Sequence, residues 1–173
     1  SLAWGVLYLL FGVVQRERAE SEHRALIASR GHTAERAEVK PSIGNNFLFR
    51  AFYEYDGRYW ADAIRIPWVG QPTIYEGESI AVLSASELMA ELPPIHAGDV
   101  ARFAKFSNNF LVHDPRNPGF IGDFRYSAVP NQIAPLWGIN VGGAEPDRHI
   151  DFGRFNAVPP EGRAEFMRQL KGE

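Results

Sequence analysis

The stretch Phe47–Ile66, FLFRAFYEYDGRYWADAIRI, decides the fold. Two segments rich in aromatic residues flank Asp56-Gly57, and a two-residue Asp-Gly connection between such segments strongly favours a tight β-hairpin turn. The turn fixes the register of the two strands, so that Tyr53 faces Trp60 and Asp62 lies on the same face as Trp60. Both faces of the hairpin carry apolar side chains, and we expect each face to be at least half covered.

Upstream of the hairpin, Leu2–Val14 (LAWGVLYLLFGVV) contains no charged residue and is followed at once by a mixed-charge segment that ends at Gly31. Good helix formers and a terminal glycine predict one helix over Leu2–Arg30. Its apolar part spans about 20 Å, which is short of the ~30 Å hydrocarbon core of a bilayer. Two interpretations stay open: the start of a buried helix, and the stub of a membrane helix in a chain that begins without Met. Arg16 and Arg18 after the apolar run suit an exit on the cytoplasmic side.

Downstream, the pattern alternates short apolar segments with turns. The polar segment His32–Ile43 is interpreted as a loop, and Asp99 is expected to cap a short helix over Val100–Phe106. The complete pattern of elements predicts an α+β fold. We expect a long N-terminal helix plus a mainly antiparallel sheet of about five strands built from hairpins, with short helices on one side. We expect residues 2–30 to form the helix and residues 31–173 to form a single soluble domain.

The composition and the residue types of the chain exclude several classes of functional site. The chain has 173 residues and a net charge of −3, so phosphate-backbone binding is not the default and no nucleic-acid partner is expected. The absence of cysteine excludes disulfides and thiolate zinc sites. The five histidines form no H-x-x-x-H or H-x-H pair, so we predict no metal site and no cofactor within this chain. No catalytic residue can be assigned, since the chain lacks a G-x-S-x-G nucleophile motif.

Three charged residues form a candidate polar patch. Asp123 and Arg125 are two residues apart on one predicted strand, where they would share a face as an ion pair or contact a ligand. Asp62 lies among aromatic residues and needs a partner if it is buried. Arg65 or Arg125 is the expected partner, but exposure of Asp62 at a strand end is the favoured interpretation.

The segment from Phe106 to Ile139, FSNNFLVHDPRNPGFIGDFRYSAVPNQIAPLWGI, resembles the C-terminal soluble region of a bacterial family of inner-membrane proteins. That family is described as metal-dependent hydrolases and also as binding the SOS-response repressor. The resemblance is carried by Phe106-Ser107, Gly122–Tyr126, Pro130-Asn131 and Pro135–Ile139.

The resemblance implies a role and a location. The family's proposed metal ligands lie in an upstream membrane-embedded part, so a divalent metal would belong to a full-length protein and none of its ligands to this chain. The chain would then be a soluble accessory domain on the cytoplasmic side of the bacterial inner membrane, inactive as a hydrolase by itself. It would contact the membrane through its N-terminal helix and the upstream spans. The alternatives are a protein-binding or regulatory module with no catalytic role, and a small stand-alone enzyme with a pocket on its sheet.

The apolar run also predicts self-association of the isolated chain, because one sheet face cannot cover a helix that is apolar on all sides. We expect a symmetric homodimer with Trp4, Leu7, Tyr8, Leu10 and Phe11 near the contact.

Overall fold

The computed structural model describes residues 2–154 and 158–173. It confirms an α+β fold with a long N-terminal helix, antiparallel sheets and short helices. The chain divides into two compact units, the first made of residues 1–79, 129–132 and 160–173 and the second of residues 80–128 and 133–159. The elements in chain order are α1 (Leu2–Ser29), β1 (Arg36–Pro41), β2 (Leu48–Tyr55), β3 (Arg58–Arg65), β4 (Thr73–Tyr75), β5 (Ser79–Ala81), α2 (Ala85–Ala90), α3 (Pro94–Phe106), β6 (Leu111–His113), β7 (Phe120–Asp123), β8 (Trp137–Asn140), β9 (Phe152–Arg154) and α4 (Pro160–Lys171).

The hairpin predicted from the sequence is the centre of the first sheet. Strands β2 and β3 pair antiparallel with Tyr53 opposite Trp60, as the Asp-Gly spacing predicts. Asp56 and Gly57 both have positive φ, 51° and 66°, which is the backbone geometry of a type I′ turn. The sheet order is β1-β2-β3-β4, with β5 also paired to β3.

Helix α1 ends one residue short of the predicted Arg30. Gly31 has a φ of 70°, and its N–H donates to the carbonyl of Ala28, which closes the helix. Only the second half of the helix packs on the sheet, with Ala19 and Leu26 among its buried residues. Among the helices that the structure describes, none is long and apolar enough to cross a membrane.

Two local expectations are wrong. The segment interpreted as a loop contains β1, an edge strand that buries Val39 and ends at Pro41, where a missing N–H does least harm. Asp99 does not begin a helix, because α3 starts at Pro94, a residue well suited to the first helical turn. Asp99 therefore lies inside α3 and is buried.

The second unit has a sheet of its own. Strands β6 to β9 follow one another in an antiparallel order β6-β7-β8-β9. The apolar side chains of this sheet and of α3 form one core. The strands predicted downstream of residue 110 thus form a separate sheet rather than extending the first, and β9 lies in a segment whose sequence shows no strand pattern. The division expected from the sequence, with residues 31–173 as one domain, stays a prediction.

Candidate functional site

Asp62 is the centre of a buried hydrogen-bond network in the first unit, which we call the Asp62 cluster (Arg30, His32, Tyr53, Asp62 and Glu76). Arg30 donates to both oxygens of Asp62, from Nη1 to Oδ2 at 2.8 Å and from Nη2 to Oδ1 at 2.9 Å. The same guanidinium donates to Tyr53 Oη at 3.1 Å and to Glu76 Oε2 at 3.0 Å. Hydrogen bonding to Asp62 raises the pKa of Arg30, so the guanidinium keeps its positive charge.

Two tyrosine side chains hold the imidazole of His32 in place beside the cluster. His32 lies flat against the ring of Tyr55, with centroids 4.2 Å apart, and its Nδ1 is 2.9 Å from Tyr53 Oη. Burial raises the pKa of Tyr53, so the phenol keeps its proton. Arg30 lies over the ring of Trp60 at 5.6 Å from its centroid, a distance typical of a cation–π contact.

The structure overturns two expectations about Asp62. Its side chain is 1% exposed, so exposure at a strand end is wrong. Its partner is Arg30 rather than Arg65 or Arg125, and the backbone N–H of Gly77 adds a third donor at 3.0 Å. Arg30 was missed because it stands 32 residues away at the end of α1, where its sequence position suggests a solvated helix terminus.

His23 lies next to this cluster and is the most unusual titratable group of the first unit. It is 2% exposed, and within the described residues its Nε2 has no hydrogen-bond partner. Its pKa is lowered from 6.5 to about 4, mainly by burial; the positive charges of Arg30 and Arg24 act in the same direction, while Asp62 and Glu20 oppose them. The imidazole is therefore neutral at physiological pH and acts as part of the packing between α1 and the sheet.

Asp123 and Arg125 form the second predicted element of the patch, in the second unit. The expectation that they share the face of one strand is wrong, because β7 ends at Asp123 and Arg125 lies in the turn that follows. Arg125 donates to both oxygens of Asp123, from Nε at 2.9 Å and from Nη2 at 2.8 Å, and its backbone N–H donates at 3.1 Å. Trp137 Nε1 donates to the same carboxylate at 3.3 Å. Arg125 Nη2 also donates to the carbonyl of Phe106 at 2.8 Å, which ties this turn to the end of α3.

The candidate patch is therefore two networks, one in each compact unit. Asp62 accepts three hydrogen bonds and Asp123 accepts four, so both carboxylates have most of their acceptor sites occupied by the protein itself. A carboxylate so fully paired stabilises its surroundings and is poorly placed to bind a ligand or accept a proton. Asp62, Asp123 and Arg125 are thus positioned to hold loops and strand ends in place.

The hydrogen-bonded pair of Asp99 and His149 was not predicted from the sequence, because the two residues lie 50 positions apart. Asp99 accepts a hydrogen bond from the N–H of Ile150 at 2.8 Å and lies 2.9 Å from His149 Nδ1. Burial works against ionisation of Asp99, but the hydrogen bonds from Ile150, His149 and Arg102 outweigh it and lower its pKa. An ionised carboxylate can only accept, so His149 Nδ1 donates its hydrogen to Asp99.

His149 lines a cavity of about 580 Å³ in the second unit. The other lining residues are Ile95, Asn140, Gly143, Ala144, Glu145, Asp147, Arg148 and Asp151. His96 contacts the backbone of two residues that line this cavity, since its Nε2 lies 3.0 Å from the carbonyls of both Glu145 and Arg148. Over the part of the chain that is described, no group of three or more His, Asp or Glu residues is arranged to hold a metal ion.

The most exposed apolar surface is the apolar half of α1 (residues 4–14). The side chains of residues 6 to 10 are all exposed, between 47% and 68%, and five consecutive helical residues turn through more than a full circle. The helix joins the fold at Phe11, whose ring stacks on Trp68 with centroids 4.6 Å apart. Just beyond, Gln15 is buried and donates to the carbonyl of Ile66 at 3.0 Å.

Comparison with protein-family models, with curated proteins and with solved structures gives no match to this chain.

Proposed function

We propose that this chain is the accessory domain of a membrane-bound hydrolase of the bacterial inner membrane, held at the cytoplasmic surface of the bilayer by the apolar half of α1. One observation carries the membrane part of the proposal: residues 6–10 of α1, which together turn through more than a full circle, all expose large apolar side chains. The hydrolase part rests on the resemblance of Phe106–Ile139 to the inner-membrane family. The upstream part of such a protein would carry the divalent metal.

The shape of the apolar surface favours lipid as its surroundings. An amphipathic helix presents one apolar stripe and can be covered by one groove or one sheet face. A helix that is apolar on all sides needs cover on all sides, which a bilayer or a bundle of membrane helices supplies. Each large side chain transferred from water into lipid contributes about 1.5–3 kcal/mol when it is fully buried.

The role proposed for the folded part is positioning. Its charged side chains form closed networks around Asp62 and Asp123, which make each unit rigid near these residues. The first unit, which is continuous with α1, can present a surface to a membrane-embedded active site. The chain alone is expected to hydrolyse neither esters nor phosphoesters, and turnover that is abolished by Asp123→Asn or His113→Ala would contradict this.

A vesicle-flotation experiment tests the membrane part. The purified chain is expected to float with phospholipid vesicles, and Leu10→Glu to reduce the floating fraction severalfold. Phe106→Glu is the matched control, because Phe106 and Leu10 are both 57% exposed; it should float like the wild type. A chain that stays at the bottom of the gradient, or a Leu10→Glu variant that floats as well as Phe106→Glu, contradicts the proposal.

A protein-binding or regulatory module is the second candidate, and one feature of the second unit favours it. Phe106 and Phe152 are half exposed, and both rings lie against Phe103, with centroids 6.1 and 6.5 Å away. Exposed aromatic groups of this kind are enriched at protein interfaces. Under this function the chain would bind a partner protein through these rings and would not float with vesicles.

A further inference from the structure

We propose that the domain lies directly on the lipid headgroups through three exposed apolar side chains, Ile43, Trp68 and Val69, which we call the apolar rim. This inference rests on the proposed function and adds a second contact to the membrane-bound helix. The rim residues are 78%, 70% and 84% exposed. They belong to two loops of the first unit that meet α1 where its apolar half ends.

Contacts with α1 place both loops at the same level of the helix. Trp68 stacks on Phe11. On the other loop, Asn46 packs against Gly12, and the carbonyl of Asn46 accepts a hydrogen bond from Gln15 at 3.3 Å. Both loops that carry the rim therefore meet α1 within residues 11–15, at the point where the exposed half gives way to the packed half.

The exposed turns of α1 extend away from the rim along the helix axis. The helix rises about 10 Å between Trp4 and Phe11, so these turns can enter the hydrocarbon core while the rim stays outside it. When that part of α1 is immersed, the rim lies at the boundary between hydrocarbon and headgroups. Tryptophan prefers this level, because its ring is apolar while its N–H needs a polar partner.

Charge supports lipid as the occupant of this surface. The three segments that form it, residues 2–16, 41–50 and 66–74, contain no acidic residue. Arg18 donates to the carbonyl of Pro67 at 3.0 Å, which keeps a positive charge beside Trp68. Arg16, two residues earlier, is 61% exposed and pairs with Glu20 at 2.9 Å, on the side of the helix that leads away from the apolar half. Anionic headgroups attract basic residues at this level, so a membrane containing phosphatidylglycerol is the preferred partner.

The chain is well suited to a direct test, because it has no cysteine and any introduced one is unique. A nitroxide label is attached to three variants, Leu7→Cys, Val69→Cys and Ala28→Cys. Ala28 is an exposed position on α1, about 24 Å along the axis from Gly12, and serves as the control. The measurement is the collision rate of each label with a water-soluble nickel chelate, before and after addition of phosphatidylcholine–phosphatidylglycerol vesicles.

We expect vesicles to lower the nickel collision rate severalfold for both the Leu7→Cys and Val69→Cys labels and to leave that of the Ala28→Cys label unchanged. Protection at Leu7→Cys with none at Val69→Cys overturns the rim proposal and leaves the membrane-bound helix intact. No protection at Leu7→Cys overturns the proposed function. Protection at Val69→Cys that is already complete without lipid assigns the rim to a second copy of the chain and overturns the proposal.

A binding experiment tests the rim without a label. Val69→Asp is expected to weaken binding to the same vesicles about tenfold, since it removes one large apolar side chain from the lipid boundary. Met167→Asp is the control, because Met167 is an exposed apolar residue on α4. Equal vesicle affinities of the two variants would overturn the proposal.

Discussion

Replacement of His23 by leucine is expected to remove most of the pH dependence of stability of the first unit in mildly acidic solution. His23 is buried between α1 and the sheet, and its Nε2 has no partner among the residues described. Burial lowers its pKa from 6.5 to about 4. Protonation of the His23 imidazole therefore destabilises the folded state, whereas the neutral imidazole is compatible with it.

The sign of the effect follows from the two pKa values. In the unfolded chain His23 binds its proton near pH 6.5, and in the folded chain only near pH 4. Between these values the unfolded state holds more protons, so the free energy of unfolding decreases as the pH decreases. The contribution of His23 is fully present above pH 6.5 and is lost as the pH falls to about 4.

The magnitude is large for a single residue. Each pH unit between the two pKa values costs up to 1.36 kcal/mol, so the whole interval is worth about 3 kcal/mol. Domains of this size have a total stability of about 5–15 kcal/mol. Carboxylates contribute little in the upper part of this interval, because their ordinary pKa values lie near 4.

Urea denaturation followed by circular dichroism, at pH values from about 7 to about 4.5, measures this effect. The wild type should lose about 2–3 kcal/mol over this range, and His23→Leu should lose little. His113→Gln is the control, because His113 is exposed on β6, and it should keep the wild-type slope. Equal slopes for His23→Leu and His113→Gln, or a wild type whose stability is flat over this range, would refute the reasoning.

Three further predictions concern the ion pairs and the apolar helix. Arg30→Met leaves the buried carboxylate of Asp62 with one backbone donor and should lower the free energy of unfolding by about 3–5 kcal/mol. The double variant Arg30→Met, Asp62→Asn should lose less than the sum of the two single variants in urea denaturation, and additive losses would contradict the coupling. Asp123→Ala should destabilise the second unit by a similar amount, seen as faster amide exchange in β6 to β8; unchanged exchange would argue against the network. Light scattering should show that the chain self-associates through α1 in the absence of lipid, and that the double variant Leu7→Glu, Phe11→Glu is monomeric. A wild type that is monomeric at high concentration would contradict this prediction.

The parts of the fold that follow from local sequence were predictable. The register of β2 and β3 depends only on the two-residue turn between them, and Tyr53 pairs with Trp60 as expected. The end of α1 depends on Gly31, which adopts the positive φ that such a position needs. Ser84 accepts a hydrogen bond from the N–H of Glu87 and caps α2, another contact between residues close in sequence.

The parts that depend on distant partners were not predictable. Arg30 and His149 reach Asp62 and Asp99 across 32 and 50 residues, and sequence spacing carries no information about such pairs. Strand β1 was missed because its residues alternate charged and small side chains around a single buried valine. Asp123 and Arg125, two residues apart, were correctly grouped as a pair, since their contact is local.

The order of the segments in the first unit determines when that unit can be completed during synthesis. Its sheet is encoded before residue 80, but Asn131, whose carbonyl accepts the N–H of Glu78, emerges from the ribosome some fifty residues later. Helix α4 comes last, and it provides the carbonyl of Leu170 for Arg65 and the side chain of Gln169 for Asn131. Within these 173 residues, the unit whose strands begin earlier is thus completed later, because the second unit has all its strands before α4 is made.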